Sequence, residues 1–244
     1  IAYHLDKLER GFDKLIDIWG TDHHGYIKRI QAAVQALGYD PAQKLEIIIG
    51  QLVSLFRAGE PVRMSKRAGN VITLSEVVDE IGSDATRFFL LMRSPNTHLE
   101  FDLEVAKKKS DENPIFYVQY AHARLCSILR LAQDRRIDID NLVDANISLL
   151  TNPEELALIK KISHFPEVVE GSASSLEPHR LTIFLQDLVS AFHRYYHSGK
   201  LEGERRVLTS DLTLSRARLS LVIGLKITIK NALSLLGVSA PERM

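Results

Sequence analysis

The hydrophobic pattern changes period once along these 244 residues, and this change constrains the fold more than any other feature. Up to about residue 75, short apolar runs rich in β-branched residues alternate with a helical pattern; beyond it, helical patterns follow one another. The run LIDIW at 15–19 predicts a strand that ends at Gly20, and the pattern at 26–38 predicts a helix that ends at Gly38. The apolar run at 45–49 predicts a second strand. Residues 51–56 are predicted either to extend this strand or to form a hairpin with it. Strand, glycine turn, helix and strand are typical of an α/β fold. We therefore predict an α/β part followed by an all-α part.

The second part of the sequence predicts a bundle of helices with recognisable starting residues. Side chains that accept a hydrogen bond from the first turn, and prolines at the first helical position, are the usual start signals. The expected starting residues are Ser75, Ser83 or Asp84, Asn113 with Pro114, Asn152 with Pro153, Pro178 and Ser210. Three regions follow: residues 1–82 as α/β, 83–113 as connecting helices, and 114–244 as a helical bundle.

Composition excludes several classes of protein. With 45% hydrophobic and 25% charged residues, the chain has the profile of a soluble globular protein. Its formal charge is zero, so no overall field indicates a membrane or nucleic acid. The single cysteine, Cys126, excludes a disulfide framework and suits a reducing compartment, so we expect a cytoplasmic protein. No uninterrupted apolar run approaches the about 20 residues that would span a bilayer, so we expect no contact with membranes. The first residues resemble neither an initiator nor a leader, and we expect the chain to be the C-terminal part of a longer protein.

One candidate catalytic motif is PVRMSKRAGN at 61–70. It combines cations, a hydroxyl and a turn with conformational freedom, which a loop closing over polyphosphate would need. The alternative is an ordinary basic surface loop. The candidate catalytic residues are Arg63, Met64, Ser65, Lys66 and Arg67.

A second candidate motif is WGTDHHGY at 19–26, directly after the first predicted strand. Open α/β sheets bind ligands at the carboxyl ends of their strands, where a glycine lets the backbone approach the ligand. A carboxylate there can accept bonds from ribose hydroxyls or a cationic substrate. The candidates are Gly20, Asp22, His23 and His24. An N-terminal cap with two surface histidines is the alternative; a metal site is not expected, because no third ligand is evident.

Together these motifs resemble the class I aminoacyl-tRNA synthetases. RMSKR is similar to their KMSKS loop, with Arg63 in place of the first Lys and Arg67 in place of the final Ser, and GTDHH resembles their Gly-x-Asp motif. Longer segments resemble the bacterial-type arginyl-tRNA synthetase family, in order and over nearly the whole chain. These are DIWGTDHHGYIKRIQAA, MSKRAGNVITL, DATRFFLLMRSPNTHLEFDLE, ENPIFYVQYAHARLCSI and LLGVSAPERM. DATR at 84–87 is the counterpart of the signature of that family's DALR-type helical anticodon-binding domain.

The resemblance implies a fold, a reaction and partners. Residues 1–82 would be the C-terminal part of a Rossmann-like catalytic domain. The intact protein, a monomer, would use ATP with Mg²⁺ to convert arginine to arginyl-adenylate and pass the arginyl group to tRNA(Arg). Lys66 would reach the ATP phosphates, and the turn at Gly20 would lie beside arginine and adenosine. The His-x-Gly-His element of the class does not occur in this sequence. We therefore expect this chain alone to be inactive as a ligase and to retain anticodon binding only.

Several aromatic and basic residues in the helical part are candidates for binding RNA. Proteins bind single-stranded loops by stacking bases on aromatic rings and by arginine contacts. Tyr120 and Arg124 lie four residues apart, on one face of a helix. Core packing is the alternative for the tyrosine, and a solvated face for the cations of the last predicted helix: Arg216, Arg218, Lys226 and Lys230. With the family pattern, the candidate anticodon-binding residues are Tyr120, Arg124, His193, Tyr196 and Met244.

Three other interpretations compete with this one. A free-standing helical tRNA-binding module without ligase activity would use only the second part and leave GTDHH and MSKRAGN without a role. A cysteinyl-tRNA synthetase has a related helical region but needs a cysteine-rich zinc site, which one cysteine cannot build. For a hydrolase or a metalloenzyme, this sequence offers no coherent set of nucleophile and base residues or of metal ligands.

Overall fold

A computed structural model describes residues 1–62 and 72–244 of the chain. The first part contains α1 (Ala2–Glu9), β1 (Leu15–Gly20), a 3-10 helix (Thr21–Tyr26), α2 (Ile27–Ala36), α3 (Pro41–Lys44), β2 (Leu45–Gly50), β3 (Val53–Arg57) and β4 (Glu60–Pro61). After residue 72 come α4 (Leu74–Ile81), α5 (Ser83–Leu91), β5 (Leu99–Asp102), α6 (Leu103–Lys107) and α7 (Pro114–Asp134). The remaining elements are a 3-10 helix (Ile147–Leu149), α8 (Pro153–Ser174), α9 (His179–Leu201), a 3-10 helix (Gly203–Arg205) and α10 (Leu212–Leu235).

The first sheet is a parallel pair made of β1 and β2. Its register runs from Leu15 opposite Leu45 to Gly20 opposite Gly50. The connection through α2 is a β-α-β crossover, and Gly38 follows that helix with φ of +88°, a left-handed conformation that glycine adopts without strain. The prediction of an α/β part followed by an all-α part is confirmed.

A second sheet of three strands has the order β4-β3-β5. β3 pairs with β4 antiparallel and with β5 parallel. The sequence predicted residues 51–56 as an extension of the preceding strand or a hairpin with it, but β3 belongs to this other sheet. β5 was not predicted, because its four residues carry too little pattern and their pairing partner lies more than forty residues earlier in the chain.

An ion-pair network fixes the elements on either side of residues 63–71. Arg57 at the end of β3 binds both carboxylate oxygens of Glu80 on α4, at 2.6 and 2.9 Å, and one oxygen of Glu104 on α6 at 2.9 Å. Lys107 lies 2.6 Å from the Glu80 carboxylate and 2.9 Å from that of Glu104. The hydrogen bonds from Arg57 and then from Lys107 lower the pKa of Glu80 to about 2 from its ordinary 4.5.

Replacing Glu80 by glutamine is expected to lower the melting temperature in a pH-dependent way. The lowered pKa means that the charged carboxylate stabilises the folded state. This contribution is complete above about pH 5 and is lost as the pH falls toward about 2. Thermal unfolding of the wild type and of Glu80→Gln should therefore differ most near neutral pH. Glu9→Gln, which makes the same charge change away from the network, is the reference. A difference that stays constant down to about pH 2 would contradict the stabilising role.

The four long helices α7 to α10 form the bundle and share one core with the second sheet. That core extends from Leu55 and Phe101 in the sheet, through Phe88 on α5, to Leu125 on α7 and Phe192 on α9. A smaller separate core under the first sheet contains Leu8, Leu15, Val34 and Leu45.

Three predicted helix starts are confirmed, including Pro178 directly before α9, and two are displaced; the start of α5 is described with Asp84 below. Asn113 and Asn152 cap α7 and α8 as expected, each followed by proline. The first residue of α4 is set by Thr73 instead of Ser75, because Thr73 and Glu76 cap each other's backbone amides. The cap of α10 is Asp211 instead of Ser210, because its carboxylate accepts from the amides of residues 213 and 214.

Candidate nucleic-acid interface

The predicted RNA-binding residues of α7 and α9 lie together where the two helices pack. Nη1 of Arg124 donates to the hydroxyl of Tyr196 at 3.0 Å, and Nη2 donates to the hydroxyl of Tyr120. The guanidinium carbon lies 4.9 Å from the centroid of each tyrosine ring. The ring of His193 is nearly parallel to that of Tyr120, with centroids 6.0 Å apart. We call these four residues the aromatic surface.

The residues of the aromatic surface are half-buried. Their rings are therefore held in place by neighbours but remain accessible to a ligand. Phe116 stacks on Tyr120 at 6.1 Å, Phe192 packs at 6.1 Å from Tyr196, and Tyr117 lies 4.4 Å from His193. Neighbouring rings thus fix each member. Within the described part of the chain, no carboxylate lies within ion-pair distance of the Arg124 guanidinium, so its charge is available to a ligand.

An open cavity of about 420 Å³ lies over this surface. Besides the four predicted residues it is lined by five that the sequence analysis did not select: Tyr117, Ser190, Arg194, His197 and Lys200. For four of them the spacing was the available signal, because residues three or four positions from Tyr120 on α7, or from His193 or Tyr196 on α9, share a helix face with it. Arg194, which directly follows His193, has no such spacing to the predicted residues. None of the described residues that line it is acidic. The cavity therefore suits an aromatic, negatively charged ligand.

His193 belongs to this site as a neutral ring. Burial lowers the pKa of its imidazole from the ordinary value, and the positive charge of Arg124 lowers it further. A hydrogen bond with the backbone of Tyr117 raises the pKa but does not offset these two effects. A neutral imidazole in this position can stack on a base without adding a second positive charge to the guanidinium.

Arg218 of α10 was expected on a solvated or RNA-binding face, and the structure shows this expectation to be wrong. Its side chain is 6% exposed and its Nε lies 2.6 Å from the carboxylate of Glu155, which is 1% exposed. Its Nη1 donates to the backbone oxygens of Glu204 and Arg206 at 2.6 and 2.7 Å. Tyr195 completes the group by donating to Glu155 at 3.4 Å, and burial raises the pKa of its phenol. The face of α10 that carries Arg218 packs inside the bundle, so this arginine is structural.

The motif DATR at 84–87 holds the end of the chain. Asp84 accepts a hydrogen bond from Gln119 of α7 at 2.9 Å and one from the hydroxyl of Ser239. Arg87 donates to the oxygen of Leu236 at 3.4 Å. Asp84 is therefore occupied elsewhere and does not cap α5. No side chain caps that helix, which begins after Gly82 at a φ of +85°.

Met244 is not part of the aromatic surface. The last residues lie along a different face of α7, where Nδ1 of His122 donates to the oxygen of Pro241 at 2.9 Å and Arg130 donates to that of Glu242 at 3.2 Å. Met244 itself is 56% exposed and does not line the cavity. Its predicted role stays a prediction.

The other predicted ligand residues lie at the carboxyl edge of the parallel sheet. Gly20 ends β1 beside Gly50, and a Cβ at Gly20 would lie 2.8 Å from Oδ1 of Asp22, so a larger residue here would have to displace the Asp22 side chain. Asp22, His23 and His24 are exposed in the 3-10 helix that follows. The candidate catalytic residues Arg63, Met64, Ser65, Lys66 and Arg67 lie outside the described residues.

Residues 1–62 and 72–244 contain neither a cluster of metal ligands nor a helix suited to a membrane. In this part of the chain, no three His, Cys, Asp or Glu side chains are grouped so that they could hold a metal ion. None of the helices there has the length and apolar character to cross a membrane.

Comparison with known proteins finds two family models and many relatives. Residues 118–244 match the DALR anticodon binding domain, and residues 16–102 match the tRNA synthetases class I (I, L, M and V). Over its whole length the chain is 52% identical to an arginine–tRNA ligase of Moorella thermoacetica and 52% identical to one of Listeria monocytogenes. The chain spans 42% of the length of each.

Solved structures agree with these sequence matches. A structure from Campylobacter jejuni, assigned as an arginyl-tRNA synthetase, superposes on this chain with a TM-score of 0.84 and 38% identity. The alignment covers 99% of this chain and 50% of the Campylobacter jejuni chain. The arginyl-tRNA synthetase of Thermus thermophilus matches 95% of this chain and 41% of its own, with a TM-score of 0.73 and 27% identity.

Proposed function

We propose that this chain, which belongs to the DALR anticodon binding domain family, is the anticodon-binding part and the adjoining catalytic segment of an arginine–tRNA ligase. Every residue of the chain aligns with relatives that carry that name, and the class I synthetase model covers most of the α/β part. The intact protein would join arginine to tRNA(Arg) at the cost of ATP. It would act as a monomer in the cytoplasm.

The observation that carries this proposal is the aromatic surface. Unstacked bases bind proteins by stacking on aromatic side chains and on arginine planes, and each base stacked on an aromatic ring contributes about 1 to 3 kcal/mol. Here a guanidinium lies between two tyrosine rings, with an open, non-acidic cavity above it. We assign anticodon binding to Tyr120, Arg124, His193 and Tyr196. Met244 remains a candidate at the exposed end of the chain.

The adenylation site would be completed by the α/β part. Gly20, Asp22, His23 and His24 lie at the sheet edge where such folds bind ligands, and their exposure leaves them free to face arginine and the adenosine of ATP. Lys66, with Arg63, Met64, Ser65 and Arg67 around it, would contact the phosphates of ATP, which enters as its Mg²⁺ complex. Arg57 and its ion-pair partners would hold the elements from which that loop extends.

The test is a binding titration of the 244-residue chain with an unmodified tRNA(Arg) transcript, measured by fluorescence anisotropy. Binding is expected, and it should be competed by the isolated anticodon stem-loop. A tRNA with a different anticodon is the control and should compete several-fold less well. Equal competition by both tRNAs would contradict anticodon recognition, and absence of binding would contradict the proposed function.

A second measurement in the same experiment concerns activity. The sequence contains no His-x-Gly-His element, so we propose that this chain alone does not activate arginine. ATP–pyrophosphate exchange with arginine should stay at background, with and without tRNA. Exchange above background would contradict the proposed inactivity. A free-standing tRNA-binding module predicts in addition that ATP and arginine have no effect on tRNA affinity, whereas a remnant of the adenylation site predicts that ATP binds.

A further inference from the structure

A second cavity of about 330 Å³ lies next to the aromatic surface. It continues along the same two helices, because Tyr196 and Lys200 line both cavities. Along α7 and the residue that directly follows it, the lining residues of the two cavities form one stripe with spacings of three or four: Tyr117, Tyr120, Arg124, Ile128, Leu131 and Arg135. At 1.5 Å per residue this stripe is about 27 Å long. It can therefore follow a strand of several nucleotides.

The rim of the second cavity is cationic. Arg135, Lys200, Arg205 and Arg206 line it, and no described lining residue is acidic. Arg205 is compensated by Glu202, whose carboxylate lies 2.7 Å away. Within residues 1–62 and 72–244, no carboxylate lies within 4 Å of the charged groups of Arg135, Lys200 or Arg206. Three positive charges are thus available to an anion.

The floor of the second cavity is apolar. It is formed by Ile128 and Leu131 of α7, by the ring of Tyr195, and by Val207 and Leu208 after the last short 3-10 helix. An apolar floor with a cationic rim matches a nucleotide, whose base is flat and weakly polar and whose phosphate is charged. An inorganic anion would leave the floor unused.

The segment that supplies Arg205 and Arg206 is held rigidly against the bundle. The buried Arg218 donates to the backbone oxygens of residues 204 and 206, and Nε of Arg206 donates to the oxygen of Gly199. At Gly199 the two segments approach so closely that a Cβ would lie 2.9 Å from the oxygen of Arg205. The position of this rim is therefore fixed before any ligand arrives.

We propose that the second cavity binds one nucleotide of the RNA strand next to the base on the aromatic surface, with its base on the apolar floor and its phosphate at Arg206, Arg135 and Lys200. This inference rests on the proposed function, because it assigns a second contact to the same RNA. It makes the site a two-nucleotide site in which Arg218 is a positioning residue for the rim.

Arg206→Ala is the first test, with the anticodon stem-loop of tRNA(Arg) as the probe and the 244-residue chain as the protein. Affinity is expected to fall about three- to tenfold, and the slope of log K against log salt should decrease by about 0.7, the value for one phosphate contact of a single strand. Arg180→Ala removes the same charge at the opposite end of α9 and should change neither quantity beyond experimental error. Equal effects of both variants would show that only the net charge matters, and the proposal would be wrong.

Gly199→Ala tests the cavity without removing charge. The added methyl group must displace the backbone at residues 205 and 206, so weaker binding is expected with an unchanged folded state by circular dichroism. If wild-type chain binds the stem-loop but Arg206→Ala and Gly199→Ala both bind it normally, the second cavity is not part of the site while the proposed function stands. No binding by the wild type would instead remove the proposed function itself.

Free AMP distinguishes a strand from a soluble nucleotide. In isothermal titration AMP is expected to bind far more weakly than the stem-loop. AMP binding as tight as that of the stem-loop, lost in Arg206→Ala and unaffected by Arg124→Ala, would assign the cavity to a free nucleotide and overturn the inference.

Discussion

Replacing Arg218 by alanine is expected to lower the free energy of unfolding by about 3 to 5 kcal/mol, the usual cost of removing one partner of a buried ion pair. The carboxylate of Glu155, 1% exposed in the folded chain, would lose its ion-pair partner and keep only two hydrogen-bond donors, the hydroxyl of Tyr195 at 3.4 Å and the backbone amide of Asn152 at 3.3 Å. The backbone oxygens of Glu204 and Arg206 would also lose their donor. Urea unfolding followed by circular dichroism measures this loss.

A double variant separates the lost pair from the lost packing. Arg218→Met with Glu155→Gln removes both charges and should be more stable than Arg218→Met alone, because no uncompensated charge stays buried. Arg216→Ala, two residues earlier on a partly exposed face, should cost less than about 1 kcal/mol. If Arg218→Ala cost no more than Arg216→Ala, the buried ion pair would not hold this part of the bundle together.

Replacing Arg124 by alanine is expected to weaken tRNA(Arg) binding by about 10- to 100-fold. Its guanidinium bonds both tyrosine hydroxyls and lies over both rings, so the change removes the cation and also the group that orients the rings. A hydrogen bond to a charged group contributes about 1.5 to 3 kcal/mol, and each 1.4 kcal/mol corresponds to a tenfold change in affinity. Fluorescence anisotropy at fixed salt concentration measures the loss.

Two further variants identify the property of Arg124 that matters. Arg124→Lys keeps the charge but lacks the planar fork that reaches both hydroxyls, so an intermediate affinity is expected. Arg180→Ala, which removes the same charge at a distance from the aromatic surface, should bind tRNA like the wild type. Wild-type affinity in Arg124→Ala, at a melting temperature close to that of the wild type, would take this residue out of the proposed site.

The division of the chain into residues 1–82, 83–113 and 114–244 stays a prediction. The family models cover residues 16–102 and 118–244, and the main core runs without interruption from the second sheet through α5 into the bundle. Removing residues 1–82 would therefore remove Leu55 and Val77 from a core that also stabilises α7 and α9.

The sequence alone determined the class of each major element and the pairing of Tyr120 with Arg124. Hydrophobic period separates strand from helix locally, and a spacing of four places two residues on one face of a helix whatever the rest of the fold does. Both consequences depend only on backbone geometry. They were therefore available before any tertiary contact was known, as were the motifs at Gly20 and Lys66 that carried the family resemblance.

Only the tertiary structure decided which cations are structural and which are available to a ligand. Arg124 and Arg218 both lie on long helices with apolar neighbours, yet one lies between two tyrosine rings beside an open cavity and the other is buried against Glu155. The difference depends on which face of each helix packs against which partner. The contact between Arg218 and Glu155 joins residues 63 positions apart, and the pairing of β3 with β5 joins residues more than forty positions apart. No local sequence pattern could therefore reveal either contact.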